Sequence, residues 1–270
     1  MTPALLWTLV FFVLPLACMV AMSLWTRTPT GIAHDWTLAN YAAFFSKPAY
    51  FQGLVNSLEI TAVVTVVSVL LAYPLAWILA FHVPERWQRL ALLCAILPFW
   101  TSYVVRSYAW LLVLSKGGIL NGWLIWAGVI AEPLALGNSR TATVIGFVHF
   151  FVMLLTLTIF ANLKQLPGNY ARAAADLGAN RLQVFAYIIL PLTLPGIMVG
   201  AFLTFVLCLG DYITPQILGG NNELVLPQVI MLQIGRRADF PSASAMALIL
   251  MAVITLAYLL VARWLKVDRL

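Results

Sequence analysis

The chain has 270 residues, of which 63% are hydrophobic and only 9% are charged. A typical soluble domain is about 45–50% apolar and about 25% charged, so a chain of this size cannot hide its apolar surface inside a water-soluble globule. The composition excludes a secreted disulfide scaffold, a disordered tail and a nucleic-acid-binding domain. It indicates an integral membrane protein, and the net charge of +6 is spread between apolar blocks as membrane-orienting charge.

Six apolar blocks are each long enough for the roughly 20 residues that a membrane-spanning helix needs. The predicted spans cover residues 4–24, 55–81, 90–114, 141–163, 188–209 and 243–262. These runs should be helical because unpaired backbone groups are costly in lipid, and their continuous apolar character excludes a β-barrel. The predicted fold class is therefore an all-α membrane protein, with residues 1–270 forming a single transmembrane domain.

The distribution of Lys and Arg predicts the orientation of the chain in the membrane. Six spans place both termini on one side, together with residues 82–89 and 164–187. These segments are short and rich in basic residues, whereas the loops on the other side are longer and carry basic residues at lower density. The positive-inside rule therefore places both termini in the cytoplasm and places Lys116 and Asn221 outside.

The segment between the fourth and fifth spans predicts two short helices joined at a glycine. Residues Asn169–Leu177 are rich in alanine, which favours a helix, and Gly178 suits the left-handed position that ends one. Asn180 can cap a second helix at Arg181–Leu190, and Pro191 ends that helix or kinks it into the fifth span. From the residues alone, a docking surface and an ordinary loop helix both remain open.

The run Ala-Ala-Ala-Asp-Leu-Gly at residues 173–178, followed by Leu190-Pro191, resembles the EAA loop of permease subunits of binding-protein-dependent ABC importers. The resemblance implies a type I (MetI-like) importer permease in which residues 164–187 form a cytoplasmic loop whose coupling helix docks on an ATPase subunit. Arg172 occupies the position where the family pattern has glutamate. The implied coupling residues are Arg172, Ala173, Ala174, Asp176, Gly178 and Pro191.

Two further stretches, Pro98–Trp110 and Gly210–Gly220, resemble the spermidine/putrescine permeases, although relatives that handle other small organic solutes share them. The resemblance implies uptake of a small cationic polyamine across the bacterial cytoplasmic membrane. It also implies an ATPase dimer, a second permease subunit, homologous or identical, and an extracytoplasmic solute-binding protein as partners. ATP would be bound by the partner ATPase, and the chain itself would hold no cofactor.

Asp211 is the strongest candidate for a substrate contact. It ends an apolar block and precedes Tyr212, and a carboxylate beside an aromatic ring suits a primary amine. A solvated helix-end residue is the alternative. Glu223 is a second candidate acid on the same side, and four aromatic residues form either a wall for an alkylammonium or a membrane-interface belt. These are Trp100, Tyr103, Tyr108 and Trp110.

Arg106 is the most costly residue in the predicted spans, because an arginine in mid-helix costs about 2.5–3.5 kcal/mol on insertion scales. A structural ion pair with Glu59 or Asp211 would offset that cost. The sequence has no Walker A loop, catalytic triad or metal-ligand cluster, so an enzymatic function is not expected. The rival class is a gradient-driven transporter, which the helix–glycine–helix segment and the shortage of intramembrane acids disfavour.

Overall fold

The computed structural model of the chain describes residues 2–167, 169–220 and 223–265. Within this part, six helical stretches are long and apolar enough to cross a membrane, as the sequence predicts. They are Leu5–Ser23, Pro48–Phe81, Tyr103–Trp126, Arg140–Lys164, Arg181–Gly210 and Phe240–Ala262. The stretch Tyr103–Trp126 contains two helices, Tyr103–Leu114 and Ile119–Trp126. Outside the described residues lie Gly168 of the predicted coupling loop, Asn221 of the third predicted outer loop, and the basic residues Lys266 and Arg269 of the tail.

The predicted third span at residues 90–114 differs from the structure, which has no continuous helix there. A helix at Glu85–Ile96 is followed by a 3₁₀ turn at Leu97–Trp100, and a new helix begins at Tyr103 and ends at Leu114. Pro98 has no amide hydrogen for a helical bond, and Thr101 is in an extended conformation. Hydropathy does not register such a break. The apolar stretch in this region that is long enough to span instead runs from Tyr103 to Trp126.

A small hairpin is the one described departure from an all-helical chain. Strands β1 (Thr26–Thr28) and β2 (Gly31–Ala33) pair antiparallel, with Arg27 opposite Ile32. The hairpin follows the first span, which consists of helical segments Thr2–Thr8, Leu9–Val13 and Leu14–Ser23, the middle one a π-helix.

The chain divides into two compact units, and the first comprises Met1–Glu59 and Gly220–Ala257. Its short helices are Ala39–Ser46 and Leu226–Arg237. Two side chains at the start of the second span hold the latter helix, because Ser57 Oγ accepts from the Leu226 amide at 2.8 Å and Asn56 Nδ2 donates to the Leu224 carbonyl at 3.1 Å. The buried core of this unit consists of Phe44, Tyr50, Leu54, Leu226, Val229 and Met246.

The second unit comprises Ile60–Gly219 and Tyr258–Leu270. Its fourth and fifth spans approach closely, because a Cβ at Gly200 would lie only 2.9 Å from Leu155 Cδ2. Small residues allow such close helix packing in membranes. Gly146 makes a similar approach to Leu218, which anchors the short helix Ile213–Leu218 against the fourth span. That the two units form a single transmembrane domain stays a prediction.

Candidate transport site and coupling segment

Asp211 lies where the fifth span ends and the chain bends into the short helix Ile213–Leu218. Its carboxylate accepts hydrogen bonds from the first two amides of that helix, from Ile213 at 2.8 Å and from Thr214 at 3.4 Å. Asp211 therefore caps the short helix, a role that the sequence analysis did not assign. An acidic residue just before a short helical run is the signal that could have indicated it.

Tyr103, a second predicted site residue, contacts Asp211. Its hydroxyl donates to the Asp211 carboxylate and also forms a hydrogen bond with the Thr214 hydroxyl. The described hydrogen bonds of the carboxylate therefore come from neutral donors, two amides and a phenol. A carboxylate offers about four lone-pair positions, so this half-buried group has capacity for a further donor beside the three described.

Arg106 is buried, with 7% of its surface exposed. Its guanidinium donates to the Pro98 carbonyl at 3.0 Å and lies over the rings of Tyr103 and Phe150, at 5.3 Å and 4.8 Å from the ring centroids. The described contacts of Arg106 are thus to a carbonyl and two π faces rather than to Asp211. Glu59 belongs to the other compact unit, and its predicted ion pair with Arg106 stays a prediction.

The remaining predicted pathway residues do not join this cluster within the second unit. Trp110 is half-buried and donates from Nε1 to His149 Nδ1 at 3.0 Å, which places the proton of the neutral imidazole on Nε2. Trp100, Tyr108 and Tyr212 have 79%, 53% and 37% of their surfaces exposed in the single chain. Glu223 is exposed and belongs to the first unit, so its predicted role with Asp211 stays a prediction.

The segment after the fourth span has the predicted helix–glycine–helix geometry. A helix covers Asn169–Asp176, and Gly178 has a φ of +84°, in the left-handed region. Asn180 Oδ1 accepts from the Gln183 amide and Gln183 Oε1 accepts from the Asn180 amide, both at 2.8 Å. This reciprocal pair is a capping box, and it begins the next helix one residue later.

Among the predicted coupling residues, Ala174 is buried, whereas Arg172, Ala173, Asp176 and Gly178 are exposed. An exposed face of small and charged residues is available to a partner.

Pro191 does not end the second helix, which continues without interruption into the fifth span. Segment Arg181–Val184 passes into a π-helix at Phe185–Ile189 and then into Leu190–Gly210, with Pro191 in the first turn of the last segment. The Leu190 amide bonds to the Phe185 carbonyl, the wider spacing of a π turn. We attribute the continuity to this wider turn, which leaves room for a residue without an amide hydrogen.

Comparison with known proteins identifies the family of this chain. Residues 72–267 match the family described as binding-protein-dependent transport system inner membrane component. The chain belongs to this family. It is a permease, a transport subunit of an ABC importer, and its fold is the MetI-like fold of type I importers.

Two sequence relatives and one solved structure are informative. The spermidine/putrescine transport system permease protein PotB of Salmonella typhimurium (strain SL1344) is 33% identical over 94% of this chain and 88% of its own length. PotB of Escherichia coli (strain K12) is 33% identical over 94% and 92%. A bacterial alginate ABC transporter, solved in complex with an alginate pentasaccharide-bound periplasmic protein, matches with a TM-score of 0.77 at 16% identity, over 98% of this chain and 93% of its own.

Three participants in the Asp211 region were missed by the sequence analysis. Phe150 is one of many apolar residues in the fourth span, and the Pro98 carbonyl is a backbone group, so neither has a distinctive sequence signal. Thr214 could have been found, since it lies three residues after Asp211 in a helix start.

Proposed function

We propose that this chain is the membrane-spanning subunit that moves a polyamine such as spermidine or putrescine into the cytoplasm. The observation that carries this proposal is its 33% identity over 94% of the chain to permeases named for spermidine and putrescine. The transporter would comprise a second permease subunit, an ATPase dimer that binds and hydrolyses ATP, and an extracytoplasmic solute-binding protein.

The Asp211 carboxylate supports a cationic substrate. A protonated amine at Asp211 would gain a charge-assisted hydrogen bond, which is roughly twice as strong as a neutral one. The carboxylate is already oriented by the Ile213 and Thr214 amides, so little conformational freedom is lost when the substrate arrives. Tyr212 and Glu223 would add aromatic and acidic surface to the same pathway.

Uptake by the complete transporter in proteoliposomes tests the substrate. Labelled spermidine and putrescine should accumulate only with ATP inside and the binding protein outside, and a neutral solute of similar size should not. Competition by unlabelled opines and amino acids separates this function from uptake of another small organic solute. ATP-dependent uptake of such a solute without polyamine uptake would contradict the proposed substrate and leave the importer function intact.

The proposed orientation places both termini and the coupling segment in the cytoplasm, because basic residues are denser on that side. Cys18, Cys94 and Cys208 are first replaced by alanine, and single cysteines are then introduced at the exposed positions Lys116 and Asp176. An impermeant thiol reagent should label position 116 in intact cells and position 176 only after lysis. Labelling of position 176 in intact cells would reverse the orientation. Using Asp176 avoids straining the left-handed Gly178.

A further inference from the structure

The break at residues 97–102, between the helices Glu85–Ile96 and Tyr103–Leu114, interrupts the third span predicted at residues 90–114 and leaves backbone groups without helical partners. After the turn Leu97–Trp100 the chain is extended at Thr101, with ψ 148°, and at Ser102, with ψ 132°, before the helix resumes at Tyr103. The last carbonyls of a helical segment have no partner in their own helix, so they need donors from beyond its end. The groups around the interruption supply such donors.

Arg106 reaches back across the interruption from the first turn of the resumed helix. Its guanidinium bonds to the Pro98 carbonyl at 3.0 Å, and the same carbonyl accepts from Thr101, from the amide at 3.3 Å and from Oγ1 at 2.7 Å. A helical carbonyl end carries partial negative charge, which a cation stabilises. Arg106 thereby joins the two halves of the interrupted span.

The guanidinium also holds the interruption against the fourth span. It lies over the rings of Tyr103 and Phe150, and Phe150 stacks on Phe99 with ring centroids 5.3 Å apart. Tyr103 and Phe150 meet edge to face at 5.3 Å. A buried cation between two π faces is held more strongly than an exposed one.

Tyr103 connects this arrangement to the bend between the end of the fifth span at Gly210 and the short helix that begins at Ile213. One face of its ring carries the Arg106 guanidinium, while its hydroxyl bonds to Asp211 and Thr214. We infer that Arg106 is a positioning residue. It joins the two helices on either side of the break in the predicted third span and, through Tyr103, fixes the Asp211 carboxylate for the substrate cation. The inference rests on the proposed function and gives Arg106 a task that needs no acidic partner.

The positioning role of Arg106 is tested with the complete transporter in proteoliposomes. The measured quantity is the number of polyamine molecules imported per ATP hydrolysed. Arg106→Gln should lower this ratio about tenfold, the range expected when a hydrogen bond to a charged group is lost. Arg106→Lys keeps the charge and one donor and should recover part of the ratio. Arg89→Gln removes an exposed arginine from the preceding helix Glu85–Ile96 and should leave the ratio unchanged.

A merely structural role would give a different result, because a smaller amount of folded transporter lowers uptake and ATP hydrolysis by the same factor. An unchanged ratio in Arg106→Gln would therefore overturn the inference, as would lysine performing no better than glutamine.

Tyr103→Phe provides a second, independent arm, in case Arg106→Gln fails to assemble. It keeps the ring under Arg106 and removes the hydroxyl that reaches Asp211, so it should also lower the ratio. A normal ratio in Tyr103→Phe would overturn the inference. Where both variants assemble, the double variant should be no worse than the worse single one, because both act on one connection. Failure of the proposed substrate would appear in the wild-type assay before any variant is compared.

Discussion

The coupling segment and the Asp211 region differ in the distance along the chain over which their contacts are made. In the coupling segment, the Ala179 amide bonds to the Ala174 carbonyl at 3.0 Å, and Asn180 and Gln183 bond to each other. Around Asp211, Tyr103 bonds to residues that are 108 and 111 positions away in sequence. The first region is organised by local backbone preferences and the second by tertiary packing. Substitutions should therefore act through backbone conformation in one region and through lost partners in the other.

The largest effect is expected for Gly178→Val in the coupling segment. A Cβ there would meet no atom within 4 Å, so the substitution tests conformation rather than steric fit. The left-handed conformation costs a residue with a side chain about 1–2 kcal/mol, and a β-branched residue is a genuine outlier there. Polyamine uptake and binding-protein-stimulated ATP hydrolysis should both fall at least about tenfold, because about 1.4 kcal/mol corresponds to a factor of ten.

Gly122→Val is the matched control for this change. Gly122 lies in the helix Ile119–Trp126, also has no atom within 4 Å of its added Cβ, and is not among the glycines with positive φ. It should retain most of the activity, while Gly178→Asn should be intermediate because asparagine tolerates the left-handed region. Normal ATPase co-purification and stimulation in Gly178→Val would remove the segment from the coupling mechanism.

The next largest effect is expected for Asp211→Asn, which tests the tertiary region. The amide oxygen can still accept from the Ile213 amide, but the negative charge is lost. Loss of a charge-assisted contact should cost about 1.5–3 kcal/mol, or roughly tenfold or more in polyamine uptake efficiency. Glu223→Gln should also lower polyamine uptake.

Asp35→Asn controls for the general loss of an acidic residue. Asp35 accepts a hydrogen bond from Thr26 Oγ1 at 3.1 Å near the β-hairpin, and its substitution should leave uptake unchanged. Rescue of Asp211→Asn by Arg106→Gln would instead reveal an ion pair between Asp211 and Arg106 and contradict the inferred positioning role of Arg106. Normal polyamine uptake in both Asp211→Asn and Glu223→Gln, at normal expression, would contradict a cation pathway along these acids.

The smallest effect is expected for Asn180→Ala, which sharpens the view of the coupling segment as a locally determined structure. Loss of an N-cap side chain costs about 1 kcal/mol, so the purified transporter should unfold at a slightly lower temperature with little change in uptake per ATP. Gln183→Ala should cost less. The double variant should fall short of the sum of the two, because both hydrogen bonds belong to one capping box. Strict additivity would contradict that reciprocal pairing.

Features whose causes lie within a few residues could be predicted from the amino-acid sequence. Apolar runs of sufficient length become spanning helices because the backbone must satisfy its own hydrogen bonds in lipid. Gly178 and Asn180 could be assigned their conformations because a left-handed helix end and an N-cap depend on the residue at that position. The same reasoning reached Asp211 and Tyr103 as candidates, but not their contact.

The contacts that hold the break in the predicted third span and the bend after the fifth span come from separate helices, and the sequence did not reveal them. An ion pair of Arg106 with Glu59 or Asp211 was predicted from the sequence, but the described contacts of Arg106 with the Pro98 carbonyl and the rings of Tyr103 and Phe150 were not. A carbonyl acceptor exists at every residue, so no residue type marks it, and a phenylalanine in an apolar span resembles its lipid-facing neighbours. Which of these groups meets a buried guanidinium is fixed by the packing of separate helices, because burial removes water as the alternative partner.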